Sequence, residues 1–177
     1  DALGRKPGIV MVGCWAHARR KFHEVLKAAS AQVVKRKLAA EEALEFIGKL
    51  YRIEKEARAK ELSAPALCEL RQQLVQPVLE ELKHWLEEKA PLTPPGGLLG
   101  KAIGYTLNQW PQLIAYLQDG RLRPDNNLVE NAIRPFVVGR KNWLFSGHPR
   151  GAAASAFLYS LIETAKANGF KPYAYLR

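Results

Sequence analysis

Residues 39–62 read AAEEALEFIGKLYRIEKEARAKEL, and most of these residues are strong helix formers. The apolar positions recur every three or four residues, which is the spacing of one helix face. That face holds Ala43, Ile47, Leu50 and Ala57, together with the acidic residue Glu54. The stretch therefore predicts a long helix, and similar patterns continue from it in both directions.

Toward the C-terminus, the spacing predicts helices over residues 64–89, 98–109 and 111–117. Ser63 can cap the first of these helices. Pro77 should kink it, because proline lacks the N–H and its ring crowds the carbonyl four residues earlier. Residues 90–97 contain three prolines and two glycines, so they are predicted to form a loop.

Beyond residue 120, two further helices are predicted. The first begins at Asn127 and should end near Arg134, because Pro135 follows it. The second covers residues 152–168 and ends at Gly169, a typical left-handed position after a helix. Between them, residues 136–138 and 143–145 are short apolar runs that we expect to be strand-like or irregular.

Toward the N-terminus, residues 8–15 read GIVMVGCW, a β-branched and apolar run that contains two glycines. Apolar residues fall on both faces of this run, as in a buried strand. From Ala16 the period becomes helical, with Ala18, Phe22 and Val25 on one side. The sequence predicts a strand that passes directly into a helix, in a fold that is otherwise mainly α-helical.

The composition narrows the class of protein. The chain has 177 residues, of which 47% are hydrophobic and 25% charged, a balance that suits one globular domain or two small ones. No apolar run reaches the ~18 residues that a membrane span needs, and no signal peptide is evident. With only two cysteines, we expect a cytoplasmic protein without membrane contact and without a disulfide scaffold.

The charge favours a polyanionic partner. The net charge is +10, and it is divided into +7 for residues 1–60, −3 for residues 61–119 and +6 for residues 120–177. A nucleic-acid surface assembled from the two basic ends would explain this distribution. Basic proteins with other roles share the composition, so charge alone leaves the question open.

The densest polar group is Asp125-Asn126-Asn127, followed by Glu130. In a purely structural interpretation, Asn127 and Glu130 form a capping box and Asp125 favours the helix N-terminus. In a functional interpretation, Glu130 is a ligand for Mg²⁺, which prefers oxygen donors. The two interpretations are compatible with each other.

Two other groups could contact nucleic acid. Residues 139–143 read GRKNW, so Arg140, Lys141 and Trp143 could bind phosphates or stack on a base, or could form a solvated turn with Trp143 in the core. His17 could face a phosphate or simply begin a helix. Cys14 and His17 have the spacing of zinc ligands, but no second pair follows at zinc-finger distance.

Four segments, in this order, resemble the catalytic region of insertion sequence 66 family transposases. The similarity extends over essentially the whole chain. The segments are residues 13–22 (GCWAHARRKF), 125–135 (DNNLVENAIRP), 139–145 (GRKNWLF) and 159–166 (YSLIETAK).

This resemblance implies a catalytic core of the RNase H-like α/β fold and the DDE class. In such a core two aspartates and a glutamate bind two Mg²⁺ ions, which activate water and then a DNA 3′-hydroxyl to attack phosphate. Glu130 matches the glutamate. The aspartates of the family precede the C-W-A-H motif, whereas this chain has only Asp1, Asp119 and Asp125, none at a matching position. We therefore expect no bound Mg²⁺ and no activity in this chain alone.

The resemblance also implies a division of the chain. Residues 1–18 would be the last core strand and its junction, and the strands before it would be missing. Residues 19–119 would be a large helical insertion, which includes the acidic middle. Residues 120–177 would hold the glutamate-bearing helix and the C-terminal helices of the core.

Two functions remain. The chain is either part of a transposase that cleaves and transfers DNA strands, or a DNA-binding or assembly module left by truncation. In both, the partners are transposon ends and target DNA, and we expect self-association through the predicted strand. The expected DNA contacts are Arg19, Arg20, Lys21, Arg134, Arg140 and Lys141, with possible support from His17, Asp125, Asn126 and Trp143.

Overall fold

The computed structural model describes residues 6–28, 34–143 and 146–177, with the backbone alone in 34–37 and 140–143. Within these ranges the chain is mainly helical and has no strand, so the predicted mainly α character is confirmed. It divides into two compact units, an N-terminal unit (Asp1–Asn126) and a C-terminal unit (Asn127–Arg177).

The N-terminal unit is a bundle of helices in which α1 packs on α2 and α5, and α4 packs on α2 and α5. A π-helical turn (Arg71–Val75) joins α3 to α4, and a 3₁₀ turn (Ala115–Gln118) follows α6. The positions of the helices agree with the predicted helical stretches. They are α1 (Trp15–Ala28), α2 (Val34–Ala59), α3 (Ala64–Leu70), α4 (Gln76–Lys89), α5 (Leu98–Asn108) and α6 (Trp110–Ile114).

The core of this unit includes the helix face that the sequence periodicity predicted for α2. All five residues of the predicted α2 face are buried, including Glu54. Burying a large apolar side chain stabilises a fold by about 1.5–3 kcal/mol, so this core is the main source of stability for the unit. Its largest apolar side chains with essentially no exposure are Trp15, Phe22, Ile47, Leu50, Leu82, Leu86, Ile103, Leu113 and Tyr116.

The irregularity expected at Pro77 is a π turn that ends just before it. In this turn the backbone N–H of Gln76 donates to the carbonyl of Arg71, five residues earlier. A wider turn suits this position, because Pro77 has no N–H to offer and its ring needs room. Ser63 caps the start of α3 as predicted, since its Oγ accepts the N–H of Ala66 at 3.4 Å.

The strand predicted for residues 8–15 is wrong, whereas the assignment of residues 1–18 to the edge of a larger core stays a prediction, and residues 1–5 lie outside the described residues. Residues 9–14 have no regular structure, and Trp15 already belongs to α1. A strand needs a neighbour that pairs with its backbone, and the described part of the chain provides none. Ile9, Val10, Met11 and Val12 are instead between 38% and 64% exposed. Self-association through this segment stays a prediction.

The C-terminal unit contains α7 (Asn127–Trp143), α8 (Pro149–Ala167) and α9 (Pro172–Leu176). The predicted end of α7 at Arg134 is wrong, and so are the irregular runs at 136–138 and at Trp143. Leu144 and Phe145 lie outside the described residues. Pro135 removes one hydrogen bond from the helix, but Phe136 packs on Tyr159 of α8, with ring centroids 5.2 Å apart, and this contact supports the continued helix.

The two ends of α8 are both capped. His148 precedes the helix, and its Nδ1 accepts the N–H of Arg150 at 3.2 Å. After the helix, Gly169 has a φ of +73°, which confirms its predicted role. The N–H groups of Gly169 and Phe170 donate to the carbonyls of Lys166 and Ala165 at 3.0 and 2.9 Å, the pattern of a Schellman motif.

The C-terminal unit buries little apolar surface. Of its described side chains only Ala165 is fully buried, and Phe157 on α8 is 64% exposed. Helices of this length gain most of their stability from an apolar face packed on another element. The apolar residues of α7 and α8 that remain exposed include Leu128, Val129, Ile133, Val137, Val138 and Leu158.

Candidate functional site

Two motifs that are distant in sequence meet at the start of α1. The backbone N–H of Trp15 donates to the carbonyl of Pro124 at 2.9 Å. The indole Nε1 of Trp15 donates to the carbonyl of Leu113 at 2.9 Å, and its ring packs edge-on against Trp110. Trp15 therefore brings the C-W-A-H motif next to the chain that leads into Asp125.

Gly13 allows this close approach. Its N–H donates to the carbonyl of Gln112 at 2.7 Å. A Cβ at this position would lie 2.9 Å from the backbone nitrogen of Leu113, closer than such atoms normally come. The glycine in the motif is thus required by packing against α6.

Asp125 lies near the hydroxyl of Tyr51, which α2 contributes. Burial is the main cause that raises the pKa of Tyr51 well above its ordinary value, and the carboxylate of Asp125 is the second. Arg19 of α1 acts in the opposite direction. Tyr51 is therefore protonated at neutral pH, and it joins α1, α2 and the segment before α7 in one polar cluster.

The cations of α1 border this cluster. Arg19 and Arg20 are exposed, whereas the Lys21 ammonium lies over the ring of Tyr105, 4.7 Å from its centroid. The pKa of His23 is lowered by burial and then by Arg19 and Lys27, so this histidine is neutral at pH 7. The exposed positive charge of α1 thus comes from Arg19, Arg20 and Lys27.

One buried ion pair anchors the segment between α6 and α7. Arg71 donates from Nε and Nη2 to the Glu54 carboxylate at 2.7 and 3.0 Å. The remaining N–H groups of the Arg71 guanidinium donate to the carbonyls of Tyr116, Asp119 and Leu122. This anchor was absent from the sequence-based hypotheses.

The carboxylate of Asp119 accepts hydrogen bonds from Arg121, two residues later. Arg121 donates to it from the backbone N–H at 2.8 Å and from Nη2 at 2.6 Å. These hydrogen bonds lower the pKa of Asp119 to about 2. Asp119 is therefore a charged partner of Arg121 in the turn that follows the 3₁₀ segment.

Glu130 lies in the first turn of α7, where its side chain is half-buried. Asn126 is exposed just before the helix, and Arg134 is exposed one turn beyond Glu130. The segment 139–143 is helical, so the proposed solvated turn is wrong there. Arg140, Lys141 and Trp143 occupy the end of α7, the same helix that carries Glu130.

Between α7 and α8 lies an open groove of about 430 Å³. The ring of Phe136 forms part of its wall, and Glu163 lies at the groove with its carboxylate 2.7 Å from the Lys166 ammonium. The YSLIETAK segment thus contributes to this groove. Its lining residues are Ala132, Ile133, Phe136, Ala156, Tyr159, Ser160 and Glu163.

The described residues do not assemble a metal site by themselves. They contain no group of three or more His, Cys, Asp or Glu side chains that could hold an ion. A pair of catalytic ions requires several carboxylates, and within the described residues Glu130 is not part of such a group.

Among residues 6–28, 34–143 and 146–177, no helix has both the length and the apolar character that crossing a bilayer requires.

The comparison with known families gives a direct match. A family model described as Transposase IS66 family matches residues 1–154. The chain belongs to this family. The match includes the C-W-A-H motif, Asp125, Glu130 and Trp143, so the IS66 transposase model spans the contacts at Trp15 as well as all of α7.

The IS66 transposase chain is also similar to proteins of Sinorhizobium fredii that are named as uncharacterized. It is 37% identical to protein y4jD over 163 residues, which cover 92% of this chain and 30% of the relative. It is 34% identical to protein y4qI, with 98% of this chain and 31% of the relative covered. The chain thus spans less than a third of the length of these relatives. No solved structure matches it.

The predicted site residues fall into two groups. His17, Arg19, Arg20, Lys21, Asp125 and Asn126 belong to the N-terminal unit, whereas Glu130, Arg134, Arg140, Lys141 and Trp143 share α7. Sequence reasoning missed Tyr51 and Arg71. A signal for Arg71 existed, because Glu54 on an apolar helix face requires a buried cationic partner.

Proposed function

We propose that this chain is the glutamate-bearing part of the catalytic region of a transposase. The whole protein would cleave DNA and transfer its strands by Mg²⁺-dependent phosphoryl transfer at transposon ends and target DNA. The observation that carries the proposal is the family match over residues 1–154, a range that includes all of α7 and the carboxylate in its first turn.

In this proposal Glu130 is the catalytic and metal-binding residue that this chain contributes. Its carboxylate supplies the oxygen donors that Mg²⁺ prefers in proteins. The other ligands would belong to the longer protein, whose length is indicated by relatives more than three times as long as the match. The chain alone would then bind no Mg²⁺ pair.

The proposed catalytic core is RNase H-like, with residues 19–119 as a helical insertion and residues 120–177 as the glutamate-bearing end. Its sheet would belong to the longer protein. The exposed apolar residues of α7 and α8 support this assignment, because a helix of a complete α/β core covers a sheet with such a face.

DNA phosphates would be bound by Arg19, Arg20 and Lys21 of α1 and by Arg134, Arg140 and Lys141 of α7. Arg19 and Arg20 are exposed, and Arg134 follows Glu130 by one helical turn. Cations near a glutamate that acts on a phosphodiester would neutralise the backbone on either side of the attacked bond. His17, Asp125, Asn126 and Trp143 would support these contacts.

The decisive experiment is Glu130→Gln in the full-length protein. The substitution keeps the shape of the side chain and removes its charge, so strand transfer should fall by at least 100-fold, on the order of the loss of one essential charged group. DNA affinity should stay within about twofold. The control is Glu56→Gln, an exposed glutamate of α2, which should leave both quantities unchanged. If the Glu130→Gln variant transfers strands at the wild-type rate, Glu130 is not a catalytic residue.

A further inference from the structure

One side chain, that of Arg71, binds three backbone carbonyls of the segment that joins α6 to α7. Arg71 donates from Nη1 to the carbonyls of Tyr116 and Asp119, at 2.8 and 3.0 Å, and from Nη2 to the carbonyl of Leu122 at 2.8 Å. These three carbonyls lie within seven consecutive residues. One guanidinium thus fixes the path of this turn.

The guanidinium is itself fixed. Glu54 accepts two hydrogen bonds from it, and the side chains of Arg71 and Glu54 are 1% and 2% exposed. All five N–H donors of Arg71 are therefore used, and the guanidinium also lies 4.8 Å from the centre of the Tyr116 ring. Such a planar, fully bonded group has one orientation.

Stability alone does not account for this pair. Taking two charges out of water costs several kcal/mol each, and apolar side chains of similar size often replace a buried ion pair without loss. What apolar side chains cannot do is bind three backbone carbonyls. The specific contribution of Arg71 is thus the geometry of residues 116–122.

The contacts of the N-terminal unit continue along the chain beyond this turn, as far as Asp125. Two residues after Leu122, the carbonyl of Pro124 accepts the N–H of Trp15, and Asp125 then lies near Tyr51. Two residues later α7 begins, with Glu130 in its first turn. The point at which the chain leaves the N-terminal unit is therefore set by α2, the π turn and α1 together.

We propose that Arg71 and Glu54 are positioning residues for strand transfer. They hold the turn that precedes α7, through which the chain reaches Glu130. The helical insertion would then act on the catalytic glutamate from a distance and not merely separate two parts of the core. This inference rests on the proposed catalytic role of Glu130.

The test is a Glu54→Leu/Arg71→Met double variant of the full-length protein. It replaces the ion pair by apolar side chains, so the helical content should equal that of the wild type. The melting temperature should stay within about 5 °C of the wild-type value. The carbonyls of Tyr116, Asp119 and Leu122 lose their donors and should turn toward water. We expect faster amide hydrogen exchange over residues 117–125. We also expect a fall of about 10- to 100-fold in strand transfer at saturating DNA, with the half-saturating DNA concentration unchanged.

The control is Lys83→Met/Glu87→Leu, which removes an exposed ion pair of α4 and should change none of these quantities. Two single variants keep the test valid if the double variant does not fold. Glu54→Gln retains the three carbonyl contacts, whereas Arg71→Lys cannot make all of them. Strand transfer by Arg71→Lys should therefore be at least about 10-fold slower than by Glu54→Gln.

Equal strand-transfer rates for wild type and a folded double variant, or for the two single variants, would overturn the inference. Glu130→Gln separates this failure from that of the proposed function. If Glu130→Gln is inactive and the double variant has the wild-type rate, only the positioning role is wrong. If Glu130→Gln is fully active, the proposed function itself is wrong.

Discussion

At the residue scale, Gly13 is the position where the C-W-A-H segment and α6 come closest. Gly13→Ala should lower the free energy of unfolding by about 1–3 kcal/mol, because the new methyl group meets backbone atoms that cannot move away alone. Urea denaturation of the 177-residue chain measures this change. Gly48→Ala is the matched control, since nothing lies within 4 Å of its Cβ and alanine favours helix α2 by about 0.5–1 kcal/mol. Equal effects of the two substitutions would contradict the packing role.

Tyr51 should make the fold sensitive to alkaline pH. Its pKa is raised in the folded state, above an ordinary value of 10.0. Above about pH 10 the unfolded chain loses this proton while the folded chain keeps it, so the stabilisation is complete below that pH and is lost as the pH rises. In Tyr51→Phe the free energy of unfolding should fall less between about pH 9 and pH 11 than in wild type. Identical pH profiles from urea denaturation would show that Tyr51 does not titrate in this environment.

Arg71 shows what single-residue reasoning could and could not predict. The sequence places Glu54 on the apolar stripe of α2, and the structure shows that it is buried there. Its partner could have been sought among the cations, but choosing Arg71 required knowledge of which helices pack together. The three carbonyls that Arg71 binds carry no side-chain signal at all.

At the scale of single elements, α7 carries Glu130 at its start and two cations near its end. Reversing the charges of Arg140 and Lys141 should weaken binding of the chain to duplex DNA. The slope of log affinity against log salt concentration should also become shallower by about 0.9 for each phosphate that the chain no longer neutralises. Fluorescence anisotropy at several salt concentrations measures both. The control reverses Lys83 and Lys89 in the acidic middle, and it should change neither quantity. An unchanged slope after reversal of Arg140 and Lys141 would remove them from the DNA surface.

Helices were predictable where one face is apolar and the pattern is local. The positions of α1, α2 and α5 follow from this periodicity, and Gly169 follows from its backbone freedom. The prediction failed for residues 8–15, because a strand depends on partners that the sequence of the segment does not specify. It also failed at Pro135, because the support that Tyr159 gives to Phe136 comes from another helix.

At the scale of the whole molecule, the chain is an incomplete catalytic unit in our account. The family assignment was predictable from four motifs, and the family match confirms it. The hydrogen bond between Trp15 and Pro124 could not be predicted from the sequence, because it results from how α1 and α6 pack. The magnesium ligands, the RNase H-like core and the DNA partners are proposals about the longer protein.

The most direct measurement of the central claim is cleavage of the full-length protein by Fe²⁺ bound in place of Mg²⁺. With ascorbate and peroxide, iron held at the catalytic site generates radicals that cut the polypeptide close to its ligands. We predict a cut within a few residues of Glu130, which excess Mg²⁺ suppresses and Glu130→Gln abolishes. Site-specific cuts that Mg²⁺ suppresses, but that are all distant from α7 and unaffected by Glu130→Gln, would contradict it.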